Sequence, residues 1–203
     1  MTLEPGLYVP TQRVAIAASR SATGTLGAVS ISVLGATRGL TAGHVAAREG
    51  VMIHFVRLAG TESGDQDGLV EPLGRVLHHT GLPDIAVFEI DPNMVSRLGH
   101  LRRVVLSRRP VASGAELTCW GAASGKLASQ VVRIDESELH AVLSPIGRAT
   151  DFGDSGAGWV SPDFQLEGIH RGVDPSNEGK RRMTVARVLT RNQLLKDQGS
   201  LLA

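Results

Sequence analysis

Short runs of Val, Ile and Leu dominate this chain. Each is cut off by Gly, Pro, Asp or Ser before it could build a helical face. The runs that read as strands are 13–18, 25–34, 36–41, 51–58, 69–78, 84–90, 115–120, 126–134, 138–143, 156–161, 165–171 and 181–187. Such spacing, with turn residues between the runs, is the pattern of an all-β barrel or sandwich. "GLVEPLGRVLHH" and "KLASQVVRI" mix alternation with apolar pairs, as barrel strands with bends do. The 24 glycines supply the turns and corners that many short strands require. Helix signals are few. "TAGHVAARE" allows one turn after residue 42, and "DPNMVSRLG" allows a short helix opened by Asp91 with Pro92 in its first position. "TRNQLLKDQGSLLA" predicts a terminal helix over 189–203, with Thr190 as its cap. Charge rises over 96–114, where Pro110 and Gly114 interrupt the pattern. The expected organisation is one domain over 1–203, with a first half at 13–95, a linker at 96–114 and a second half at 115–188.

Several function classes are disfavoured at this stage. The formal net charge is +1, which gives no strong pull toward nucleic acid or a membrane surface. The basic stretches "LRRVVLSRRP" and "GKRR" read as solvated charge. No stretch has the length of a membrane-spanning helix. "MTLEPGLYVPTQR" lacks the basic start and apolar run of a secretory leader, so a soluble cytoplasmic protein is expected. Cys119 is the only cysteine, which excludes an internal disulfide. Its setting, "ELTCW", reads as a small core residue. The histidines have no acidic or cysteine neighbours at metal-ligand spacing, so neither metal nor cofactor is expected.

One segment asks for chemistry. In "ATDFGDSGAGW" (149–159), Ser155 is either a nucleophile or a serine in a glycine-rich turn. A serine hydroxyl needs a neighbouring imidazole to take its proton, and that imidazole needs a carboxylate to fix its tautomer. His54, His78, His79, His100 and His140 have plain structural readings. His44 differs, because "GLTAGHV" places it after a small-residue turn that leaves its ring open to a substrate. Asp84, in "GLPDIAVFEI", opens an apolar strand where a carboxylate would be half-buried, and it also reads as a turn residue after Pro83. Glu89 and Asp91 are the alternative acids.

Taken together, "TAGH", "DIAV" and "GDSG", in the order His, Asp, Ser, resemble the chymotrypsin-like (trypsin-like) serine proteases from about residue 25 onward. The order separates the chain from α/β-hydrolases, which run Ser, acid, His, and from subtilisin-like enzymes, which run Asp, His, Ser. The resemblance implies two six-stranded antiparallel β-barrels packed together. His44 and Asp84 would come from the first and Ser155 from the second. It implies a serine endopeptidase acting on peptide or protein substrates. His44, Asp84 and Ser155 would be catalytic, and the N–H groups of Gly153 and Ser155 would form the oxyanion hole.

In that family "LEGIHRGV" (166–173) corresponds to the segment beside the substrate, which makes His170, Arg171 and Gly172 candidate substrate-binding residues. Ala149 stands where a basic-specific enzyme carries Asp. Thr150 and His170 resemble the pocket of glutamate-specific endopeptidases and of picornavirus cysteine proteases that prefer Gln, so Glu, Asp or Gln is expected before the scissile bond. The competing reading is a small apolar pocket with His170 packed in the second barrel. Arg13–Val14 loosely echoes an activation site whose new terminus would pair with Asp154; the expectation is that Asp154 finds another partner or none and no processing occurs. The rivals from other classes are a catalytically silent binding module and a protease module governed by a regulatory protein partner.

Overall fold

The computed structural model describes residues 3–19, 22–46, 48–56, 69–80, 84–135, 140–173 and 184–188. It is mostly β. The first half carries β1 (Gly6–Pro10), β2 (Ala15–Ala17), β3 (Thr23–Thr25), β4 (Ala28–Ile31), β5 (Thr37–Ala42), β6 (Met52–Val56), β7 (Leu69–Thr80), β8 (Ile85–Glu89) and β9 (Leu101–Leu106). The second carries β10 (Glu116–Gly121), β11 (Gly125–Asp135), β12 (His140–Ile146), β13 (Gly158–Val160), β14 (Gln165–Val173) and β15 (Thr184–Val188). A four-residue helix, α1 (Gly43–Ala46), follows β5, and a 3₁₀ helix spans Pro92–Leu98. Asp91 caps the latter by accepting from Asn93 N at 2.9 Å, with Pro92 leading the first turn. The expected helix over 189–203 lies outside the described residues.

The second half is a closed ladder. Its order is β13-β10-β11-β12-β15-β14, and β14 pairs back onto β13, so each of these six strands has two neighbours. Closure removes the unpaired edges that an open sheet exposes. Leu117, Cys119, Leu127, Val131, Leu143 and Trp159 fill its interior. The Cys119 thiol is buried as expected, and burial pushes its pKa well up, with the Asp154 charge adding to the effect.

In the first half the order is β9-β1-β4-β5-β8-β7-β6-β2-β3, and among the described residues it ends at β3. Its core, around Ile16, Leu26, Ile53, Leu73, Ile85 and Phe88, also takes in Val160, Leu166 and Ile169 of the second half. The halves therefore share buried surface.

Two strands lie where none was expected. β1 pairs with β4. β9 runs through the stretch expected to be a linker, pairing antiparallel with β1 and parallel with β14. Val104 is buried in it, while Arg102 and Arg103 are exposed. The Arg102 guanidinium stacks 3.4 Å above the Phe164 ring. Of the basic residues that read as linker, Arg102 and Arg103 are exposed on this strand, and Arg108 and Arg109 are exposed just after it. The expected strand at 25–34 also divides into β3 and β4, with a break at 26–27 where the chain packs against the loop carrying Ser155. Gly27 has no room for a Cβ there, which would collide with the carbonyl of Gly156.

Candidate active site

β5 ends in "TA", and the chain turns at once into α1, which presents His44. Directly beside it stands Asp84, the residue just before β8. The Gly43 N–H donates to the Asp84 carbonyl at 2.8 Å, which ties the two starts together. A Cβ on Gly43 would come within 2.9 Å of Asp84 Oδ1, so glycine is what lets the carboxylate approach the histidine. Asp84 takes a left-handed backbone, φ 50°, a conformation that few residue types other than Gly, Asn and Asp adopt readily. The held strain is offset by contacts. Asp84 Oδ1 accepts from the His44 backbone N–H at 2.9 Å, and Oδ2 lies 2.9 Å from His44 Nδ1. One carboxylate thus grips both the backbone and the ring of His44. From the far side, His79 Nε2 lies 3.1 Å from the Gly43 carbonyl, a buttress that the sequence did not single out.

With its proton on Nδ1 facing Asp84, the His44 ring presents a lone pair at Nε2. The ring is about half exposed on the wall of a cavity of about 730 Å³. Ser155, Gly153, Phe152, His170, Arg171 and Gly172 line the same cavity. Its size suits a peptide side chain with flanking backbone. His44 and Ser155 are not hydrogen-bonded to each other; the Ser155 hydroxyl donates to the Arg171 carbonyl at 3.4 Å. Such a bond commonly tightens only when substrate arrives.

The loop carrying Ser155 is shaped by two left-handed glycines, Gly153 at φ 96° and Gly156 at φ 98°. Asp154 beneath it is fully buried. Asp154 Oδ1 accepts from Ala123 N and Ser124 N at 2.9 Å each, and Oδ2 accepts from Asp151 N at 2.8 Å. The partners of this carboxylate are backbone amides. Among the described residues, no hydrogen bond uses the N–H of Gly153 or of Ser155. Both donors are available to an incoming oxyanion.

The specificity candidates separate. His170 is buried, with its edge toward the Trp159 ring at a centroid distance of 6.1 Å, and its Nδ1 has no partner. Burial drives its pKa down to about 4; the Asp154 charge pulls it up and His44 pushes it down further. The ring is therefore neutral at pH 6. Thr150 is buried with its hydroxyl unpartnered, but it is not part of the cavity wall. Arg171 was expected to face the substrate. A register shift between His170 and Gly172 in β14 re-aims it, and its Nε stands 3.7 Å from Asp84 Oδ2. It therefore touches the acid as well as lining the cavity. Among the described residues, no cluster of His, Cys, Asp or Glu is arranged to hold a metal ion.

No protein-family model matches the sequence, and no curated protein matches it. Solved structures do match the fold. Protease A of Thermobifida fusca is similar with a TM-score of 0.62 at 16% identity, covering 94% of this chain and 96% of that one. The chymotrypsin of Cellulomonas bogoriensis gives 0.60 at 16%, covering 94% and 95%. A glutamic-acid-specific serine protease, described as binding substrate with a histidine triad, gives 0.62 at 14%, covering 91% and 95%. At these identities the likeness establishes the chymotrypsin-like fold.

Proposed function

We propose that this chain is a serine endopeptidase. The observation that supports the reading most strongly is the double grip of Asp84 on His44, placed on the wall of the cavity that also holds Ser155. In the reaction, a turn about the Ser155 Cα–Cβ bond brings Oγ from the Arg171 carbonyl to His44 Nε2. Oγ attacks the peptide carbonyl as Nε2 takes its proton, and Asp84 stabilises the imidazolium. The carbonyl oxygen, now an anion, receives the N–H groups of Gly153 and Ser155. His44 returns the proton to the leaving amine, and water then hydrolyses the acyl-serine by the same steps. Preorganised donors of this kind contribute about 10²–10³ each in rate.

His170 supports a preference for Glu, then Asp or Gln, before the scissile bond: it lines the cavity and carries a buried ring nitrogen without a partner, whereas Thr150 lies behind the wall. A neutral imidazole N–H is suited to a carboxyl or amide oxygen. The pocket is not a copy of a three-histidine site, since His44 and His170 are the histidines on the cavity wall. A peptide library cleaved by the chain and read by mass spectrometry tests this. Dominant cleavage after Lys, Arg or large aromatics would refute the pocket and leave the triad standing. A fluorophosphonate probe separates the enzyme from a silent binding module, because only an activated Ser155 becomes labelled.

A further inference from the structure

Thr25, at the end of β3, is fully buried and lies in the first half, yet its contacts are with the nucleophile loop of the second. Its N–H donates to the Ser155 carbonyl at 2.7 Å. Its hydroxyl donates to the Gly153 carbonyl at 2.8 Å and accepts from the Ala122 N–H at 2.9 Å. Its own carbonyl accepts from the Thr41 hydroxyl at 2.8 Å. The packing around these bonds has no slack. A Cβ on Gly24 would meet the Ser155 carbonyl at 2.6 Å, and one on Gly156 would strike Thr41 Oγ1 and the Thr25 carbonyl.

We infer that Thr25 is a positioning residue for the oxyanion hole: a single residue of the first half that holds the loop's two donor residues by their carbonyls. This rests on the serine endopeptidase reading. Gly153 and Ser155 each offer an N–H to the reacting oxygen, and each has its carbonyl anchored on Thr25, one through the hydroxyl and one through the backbone. The Gly153 carbonyl fixes how that left-handed glycine is rotated. Gly153 has no side chain to hold it in place, so the anchor has to come from outside the loop. The same hydroxyl accepts from Ala122, a cavity-lining residue next to the Ala123 and Ser124 amides that hold Asp154. The donor geometry needed in the transition state is thereby referred to the half of the molecule that carries His44. Preorganisation of this kind acts on the chemical step and leaves ground-state binding alone.

The test compares full-length Thr25→Val, Thr25→Ser and wild type in peptide turnover, fluorophosphonate labelling rate and thermal unfolding. Valine keeps the shape and removes both side-chain bonds; serine restores the hydroxyl. Expected for Thr25→Val is a fall in kcat and labelling rate on the order of 10², with KM within about twofold of wild type. Thr25→Ser should stay within about threefold in kcat. A folded Thr25→Val protein with wild-type kcat, or one whose loss appears only in KM, overturns the assignment. If Thr25→Val does not fold, Thr25→Cys against Thr25→Ser decides: similar in size, they differ in hydrogen-bond strength, and equal kcat overturns the assignment. A wild type that neither turns over peptide nor labels at Ser155 overturns the endopeptidase reading itself. An active wild type with an indifferent Thr25 overturns only this inference.

Discussion

Asp84 and Asp154 each stand one step from a proposed catalytic group, and the two halves of the molecule hold them in opposite ways. Asp84 is partly open to solvent and bonds a group that gains and loses protons, the His44 ring. Asp154 is sealed, and its three bonds come from amides that never titrate. On the endopeptidase reading, the first orients the ring that serves as base. The work of the second is geometric: it gathers the amides of residues 123, 124 and 151 around the loop that carries Ser155. Substituting either residue should therefore fail in a different currency, rate for Asp84 and stability for Asp154.

The largest effect lies at the group both serve. Ser155→Ala should abolish fluorophosphonate labelling and peptide hydrolysis while leaving the unfolding temperature near wild type. Label found on another serine would dissolve the comparison. Next comes Asp84→Asn. Asparagine can still accept from the His44 backbone N–H through its oxygen, but its amide then donates toward Nδ1 and forces the ring proton onto Nε2, where the base is needed. A loss on the order of 10⁴ in kcat is expected, with stability little changed. Near-normal turnover would point to another acid. Glu89 is exposed on β8 and Asp91 is occupied in capping the 3₁₀ helix, so neither is placed to stand in.

The converse substitution, Asp154→Asn, replaces one acceptor oxygen by a donor facing a backbone N–H. Buried hydrogen bonds to a charged group contribute about 1.5–3 kcal/mol each, and an orphaned donor adds its own cost. Unfolding free energy should fall by roughly 3–4 kcal/mol, measured by denaturant titration. If Asp154→Asn lost rate at unchanged stability, the two aspartates would not differ as described.

The smallest effect concerns His170, which lies between the two systems. Its pKa is about 4 in the folded chain against 6.5 for a free side chain. Between those values the unfolded chain takes up the proton first, so stability is full above about pH 6.5 and drains as pH falls toward 4. The loss attributable to this ring is at most about 3 kcal/mol. His170→Asn should flatten the fall in unfolding temperature between pH 6.5 and pH 4.5. Parallel curves for the two proteins would mean the ring is solvated in the folded state.

Much of the architecture was legible in the chain, because turn residues and apolar runs are local signals. The pairing of His44 with Asp84 was legible through the order of "TAGH", "DIAV" and "GDSG" and the family it resembles, whereas the part Gly43 plays in their approach was not. β9 was not, because "LRRVVL" hides a buried Val104 among arginines that face solvent, and only its pairing with β1 and β14 makes it a strand. The partners of Asp154 were illegible for another reason: the amides of residues 123, 124 and 151 carry no side-chain signature. Thr25 sits in "TGTLGAV" with nothing to mark it, since its meaning lies in carbonyls contributed 128 and more residues later. Arg171 was read as a substrate-side residue from the family resemblance of "LEGIHRGV"; it does line the cavity, but its approach to Asp84 depends on a register shift in β14 that the sequence does not mark.

The way Asp154 is satisfied also bears on when activity begins. Where a loop waits for a new chain terminus, folding and activation are separate events, and an inert store can accumulate. Here the carboxylate is met by the chain's own amides, so the loop takes its shape in the same act as folding. On the endopeptidase reading, freshly translated, uncut chain should react with the probe from the first time point.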